Sequence, residues 1–84
     1  MIRVLFFARL REELQCGSLD VDWREDVASL EALEKFLVEQ GGARWEQVLS
    51  QDNIIRSVNQ TVVEGAAPIR DGDEVAFFPP VTGG

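Results

Sequence analysis

Histidine is absent from this chain of 84 residues. That removes Ser-His and Cys-His nucleophile pairs, a His general base and His-ligated zinc. A single cysteine, Cys16, excludes an internal disulfide framework and a Cys-based metal cluster. Of the familiar catalytic side chains, little remains beyond carboxylates and one lysine, Lys35. Positive charge is scarce too: eight Lys and Arg against fifteen Asp and Glu leave a net charge of −7. Such a surface repels the phosphates of nucleic acid and an anionic membrane face, so neither is expected as a partner, whereas a basic protein is. Long apolar runs are missing as well. The opening "MIRVLFFARL" is too short for a secretory core and is broken by Arg9, and no segment has the length to span a bilayer. The expected location is the cytoplasm. No repeat, linker or low-complexity stretch marks a second domain.

What is present suits one small folded domain. A hydrophobic share of 45% is enough to exclude a disordered chain, although a chain this short buries only about 60% of its unfolded surface. Residues Ile2 to Ala8 read as a first strand, with Ile2, Val4 and Phe6 on one face and Arg3, Leu5 and Phe7 on the other. "ARLREELQ" reads as a short helix ended by Gly17, and "SLDVDW" as a half-buried strand pairing back on the first.

The strongest helix signal is "SLEALEKFLVEQGG". Ser29 is its N-cap, Glu31 suits the positive end of the helix dipole, and Gly41-Gly42 stops it. Leu30, Leu33 and Leu37 recur at helical spacing and read as core rather than as a partner groove, with Phe36 widening the stripe. "ARWEQVLS" predicts a second short helix. "IIRSVNQTVV" predicts one or two strands around Asn59-Gln60. A turn at Asp71-Gly72-Asp73 precedes a last strand from Glu74 to Phe78, apolar enough to lie inside the sheet beside the first. The order predicts an α+β fold of the β-grasp kind, a mixed sheet wrapped over one main helix. Residues 1–78 form the domain and 79–84 an extended tail.

That tail carries the chemistry. The chain closes on "FFPPVTGG". Pro79 and Pro80 lack the N–H a sheet ladder needs and favour a stiff, extended exit. A strand stop followed by fraying residues accounts for the prolines but not for the two glycines. Glycine has no Cβ, so Gly83 and Gly84 can enter a channel that any side chain blocks. Six extended residues reach roughly 20 Å, enough to deliver a terminal carboxylate into a buried site on another protein. A carboxylate is a poor electrophile. Adenylation by ATP converts it to an acyl phosphate anhydride with AMP as leaving group, and a sulfur donor can then attack that carbonyl to leave a thiocarboxylate.

The stretches "VLFFARLRE", "VNQTVV" and "DGDEVAFFPPVTGG" resemble the small subunits of molybdopterin synthase, a family of ubiquitin-like sulfur carriers, along essentially the whole chain. The resemblance implies that Gly84 is adenylated by an E1-like enzyme that uses ATP and is converted to a thiocarboxylate with sulfur from a donor protein. It implies that a large synthase subunit then uses this sulfur to turn cyclic pyranopterin monophosphate into a dithiolene, in a heterotetramer of two small and two large chains. Pro79, Pro80, Val81, Thr82 and Gly83 become the segment inserted into the partner. Catalytic groups are expected on the large subunit, and neither a cofactor nor a metal is expected on this chain.

Strand alternation places Phe7 and Phe78 on the outward face of the sheet, and the "NQTVV" likeness adds Val62; these three are the expected partner interface. Two rival readings stay open: a carrier for thiamine or another sulfur-containing product, and a ubiquitin-type protein modifier. The aromatic-proline stretch favours the molybdopterin branch over the thiamine one. Cys16 as a nucleophile and Glu12, Glu13, Asp71, Asp73 and Glu74 as a metal or acid–base site are weaker readings. No histidine can activate the thiol, and "DGD" lacks the further ligand spacing of a calcium loop.

Overall fold

Two apolar strands from opposite ends of the chain make the centre of the sheet. In the computed structural model, which describes residues 1–80, β1 (Ile2–Phe6) lies parallel to β5 (Glu74–Phe78), with Val4 opposite Val75 and Phe6 opposite Phe77. A parallel pair needs a long crossover, and the intervening chain supplies it. β2 (Ser18–Val21) pairs antiparallel with β1. On the other side β3 (Ile55–Val58) pairs antiparallel with β5, and β4 (Thr61–Val63) with β3. The resulting order is β2-β1-β5-β3-β4, a mixed five-stranded sheet.

One face of this sheet is wrapped over α2 (Leu30–Gly41). Ile2, Val4, Phe6, Val75 and Phe77 meet Leu30, Leu33 and Leu37 in a single core, joined by Leu10, Leu14, Val48, Leu49 and Ile69. This is the β-grasp arrangement. The helix begins as its sequence requires: the Ser29 hydroxyl accepts the Ala32 N–H at 3.1 Å. α1 (Ala8–Leu14) and α3 (Ala43–Leu49) close the ends of the core, and a single 3₁₀ turn, Glu25–Val27, leads into α2.

Three boundaries differ from the sequence expectation. β1 stops at Phe6 rather than Ala8, because Ala8 takes a φ of 51° and the chain turns directly into α1. α1 is closed by Gln15, with φ 52° and its N–H on the Arg11 carbonyl, and not by Gly17. β2 ends at Val21; Trp23 lies beyond it and donates its indole N–H to the Ile69 carbonyl at 3.0 Å. The β3–β4 turn is built as predicted at Asn59-Gln60, both with positive φ, as a two-residue hairpin of matching twist demands.

Two features carry weight that periodicity does not reveal. Arg56 sits on the core face of β3 opposite Phe77, a position that asks for an apolar residue. Its guanidinium forms a two-pronged pair with Glu34 of α2 at 2.7 and 2.9 Å and also donates to the Ile54 and Leu49 carbonyls. A fixed fork with a planar partner is what lets a charge sit there.

Gly41 is the second. A Cβ on it would lie 2.2 Å from Trp45 Cγ, the base of an indole that packs edge-on to Phe6 at 5.3 Å. Glycine to alanine in a helix interior ordinarily stabilises by about 1 kcal/mol. Here the sign reverses, because the indole must leave the Phe6 edge. Gly41→Ala is expected to cost about 1–3 kcal/mol, seen as a lowered thermal transition.

Candidate functional site

The face of the sheet turned away from α2 is where the tail begins. Strand register places its side chains in rows. Leu5, Ala76, Ser57 and Val62 form one row across β1, β5, β3 and β4. Phe78 and Ile55 form the next, with Phe7 just beyond the end of β1. Arg3, Asp20 and Glu74 form a charged row at the opposite end of the strands.

Phe7 and Phe78 are stacked, with ring centroids 4.7 Å apart and planes 3° from parallel. The Phe7 N–H donates to the Phe77 carbonyl at 3.2 Å, which holds the root of α1 against the end of β5. The pair makes one aromatic slab directly at the residue from which the chain leaves the sheet. Beside it lies a shallow cavity of about 330 Å³ lined by Phe7, Ser57, Gln60, Val62, Glu74, Ala76 and Phe78. Val62 is 71% exposed and Phe7 40% exposed, although both are large and apolar. Exposed apolar side chains grouped in this way mark an interaction surface.

All three residues expected at a partner interface therefore line one hollow. Leu5, Ile55 and Ala76 share their face, and sequence reasoning did not name the last two. Their sheet positions depend on the β3–β5 register, which no local pattern reports. Pro79 and Pro80 follow Phe78 and are half-buried. Val81, Thr82, Gly83 and Gly84, the remaining expected tail residues, lie outside the described residues.

The weaker candidates have other occupations. The Asp71 carboxylate pairs with the Met1 ammonium. Asp73 accepts the Arg70 N–H at 2.8 Å and the Asn59 side-chain amide at 3.0 Å, while Asn59 Oδ1 accepts the Glu74 N–H. These bonds close the turn before β5 and anchor the β3–β4 hairpin to it. The Cys16 thiol is half-buried and donates to the Ser18 carbonyl at 3.4 Å. Glu13 accepts from the Gln51 amide at 3.1 Å. Among the described residues no three Cys, Asp or Glu side chains gather as metal ligands do, and no helix is long and apolar enough to cross a membrane.

Known proteins share both the sequence and the fold. The molybdopterin synthase sulfur carrier subunit of Escherichia coli (strain K12) is 45% identical over 84 residues, covering all of both chains. The crystal structure of SAMP1 from Haloferax volcanii superposes with a TM-score of 0.76 at 26% identity, over 99% of this chain and 98% of that one. Subunit 1 and 2 of molybdopterin-converting factor from Helicobacter pylori 26695 are known as a protein–protein complex; the matching chain has a TM-score of 0.67 at 20% identity, over 99% of this chain and 97% of its own, a likeness of fold. The model of the ThiS family matches residues 4–84, and the chain belongs to that family.

Proposed function

We propose that this chain is the sulfur carrier subunit of a molybdopterin synthase and that Gly84 bears the sulfur. The observation that carries the reading is the end-to-end 45% identity with the Escherichia coli carrier subunit. The geometry adds a reason of its own. The apolar hollow and the tail share a root at Phe78, so a partner that covers the hollow receives the tail at the same time. The fold supplies a handle and leaves the reaction to the tip.

The chemistry balances in three steps. The Gly84 carboxylate oxygen attacks the α-phosphorus of ATP and expels pyrophosphate, leaving a glycyl adenylate. A persulfide-type sulfur from a donor protein then displaces AMP, and reduction of the resulting acyl disulfide by a thiol frees the thiocarboxylate. ATP belongs to the E1-like activating enzyme and the acceptor, cyclic pyranopterin monophosphate, to the large subunit. The described part of this chain contributes binding surface and reach. Partners in this reading are the large subunit, in a heterotetramer with two copies of each chain, the activating enzyme and the sulfur donor.

Incubation with an activating enzyme, ATP and a sulfur donor is expected to shift the intact mass by one sulfur-for-oxygen exchange, localised to the C-terminal peptide. The fold likeness to SAMP1, a small archaeal modifier protein, keeps one alternative in view. A modifier accumulates as amide-linked conjugates of other proteins, and that outcome replaces the carrier reading.

The charge of −7 adds an expectation about rate. Association with a basic large-subunit surface is steered, so the association rate constant is expected to fall by about tenfold from low to high salt. A flat salt series removes steering from the account.

A further inference from the structure

The sheet has an open edge at β2, and beside it runs an apolar groove that the patch at the tail does not use. The backbone pairing tells which groups are free. Arg3 and Phe7 donate their N–H groups to Asp73 and Phe77, so the odd-numbered residues of β1 bond towards β5. The even-numbered ones bond towards β2, as the Phe6 N–H does to the Gly17 carbonyl. Through the register of Ile2 with Val21 and Val4 with Leu19, this engages the backbones of Leu19 and Val21. Ser18 and Asp20 turn theirs outward. The Ser18 carbonyl is met by the Cys16 thiol. Asp20 presents an N–H and a C=O to the edge in the alternation that a further strand requires.

The side chains complete the groove. Leu19 and Val21 of β2, Phe36 and Leu37 of α2 and Trp45 of α3 line a cavity of about 420 Å³. Leu19, Phe36 and Trp45 are half-buried, so each keeps apolar surface in contact with water. At the far end the Arg24 guanidinium lies 5.7 Å from the centre of the Phe36 ring. On the other face of the edge stands the carboxylate of Asp20, paired with Arg3 at 3.5 Å, while Asp22 lies at the end of the strand beside Arg24 and Phe36.

We propose that β2 and this groove accept an extended, basic–apolar segment of a partner protein as a sixth strand. Added at the edge, such a segment pairs its backbone with Asp20. It sends alternate aliphatic side chains into the groove between Leu19, Phe36 and Trp45, and the intervening Lys or Arg side chains meet Asp20 on the other face. Main-chain bonds provide the attraction and the alternating side chains the selectivity. A second copy of this chain is the poorer occupant: a two-fold pairing of β2 centred on Asp20 sets that carboxylate against its own counterpart, and in any register the two chains each carry a net charge of −7.

The sheet order separates this edge from Phe78 by the width of β1 and from Val62 by β1, β5 and β3. One protein can therefore hold the carrier at β2 while the tail passes from one partner to the next. This site goes beyond the sulfur-carrier reading and stands or falls without it.

The test uses the full-length chain and an acetylated hexapeptide, Lys-Val-Lys-Val-Lys-Val, followed by backbone amide NMR. The expected result is a saturable shift confined to residues 18–22 and the Trp45 indole, with slowed hydrogen exchange at the Asp20 N–H. With the segment antiparallel to β2, the residue opposite Asp20 is a lysine, and the same peptide with an N-methyl group on its central lysine is expected to bind about tenfold more weakly, as loss of a main-chain bond implies. Asp20→Lys, at an exposed position, is expected to weaken the unmodified peptide by about tenfold or more. Shifts that map to Phe7, Val62 and Phe78, no saturable shift, or equal binding of the N-methylated peptide overturn the proposal.

Discussion

Adding a single residue after Gly84 is expected to abolish sulfur transfer and leave the thermal transition where it was. Deletion of Gly84 and Gly83→Val are expected to do the same. The tasks are separated along the chain. The core face of β5 ends at Phe77, which is fully buried and stacked on Phe6 at 5.4 Å, and Phe78 is the last residue of the sheet. Residues beyond Pro80 add little apolar surface, so changing them costs little stability. In the carrier reading the reaction depends on them completely. An extension turns the Gly84 carboxylate into an amide, which adenylation of this kind does not activate. Deletion draws the carboxylate back by about 3.5 Å from the position at which it is attacked, and near-attack geometry tolerates about 1 Å before rates fall by orders of magnitude. Valine at position 83 keeps the carboxylate but thickens the neck and removes the permissive backbone. The measurements are the intact mass after treatment with activating enzyme, ATP and a sulfur donor, and dithiolene formation with the large subunit. If the extended chain supports dithiolene formation without being trimmed, the tail is an anchor and Gly84 carries no sulfur.

The sequence announced the elements whose signals are local. Leu30, Leu33 and Leu37 sit at one helical face and are buried there; Ser29 caps that helix with its own hydroxyl; Asn59-Gln60 turns a hairpin. Alternation alone sorted Ile2, Val4 and Phe6 to the core and Phe7 to the outside. The choice of a β-grasp from element order is matched by the sheet order. What stayed hidden depends on partners far away in the chain. No local pattern assigns Arg56 to the core face, and its place there makes sense only with Glu34 in reach, 22 positions earlier. The tight seat of Trp45 on Gly41 turns a helix-stopping glycine into a packing requirement. Ile55 and Ala76 joined the outer patch through the β3–β5 register. The stacking of Phe7 on Phe78 joins residues separated by most of the chain, and a parallel β1–β5 pair is what brings them together.

That stacked pair is the basis of the second large effect. Phe78→Asp is expected to weaken binding to both the large subunit and the activating enzyme by about 100-fold or more while the protein stays folded. An aromatic anchor in the middle of an apolar interface commonly contributes about 2–4 kcal/mol, and each 1.4 kcal/mol is about tenfold in affinity. The aspartate also places a charge against the rings and aliphatic side chains that a partner would have to cover. Folding is spared because position 78 faces outward, opposite Ile55, while Phe77 alone points into the core. Phe7 and Phe78 act as one slab, so their contributions are not independent. Truncating both to alanine is expected to cost less affinity than the sum of the single changes, with a coupling of about 1 kcal/mol, the usual range for a stacked pair. Val62 provides a check against unfolding. At 71% exposure it does little for the core, so Val62→Asp is expected to leave the thermal transition unchanged and still reduce binding, by about tenfold. The two measurements are dissociation constants for each partner and a thermal melt of each variant. Undiminished binding of both partners by folded Phe78→Asp and Val62→Asp proteins moves the interface away from this face of the sheet, and with it the explanation of why an aromatic pair stands where the tail begins.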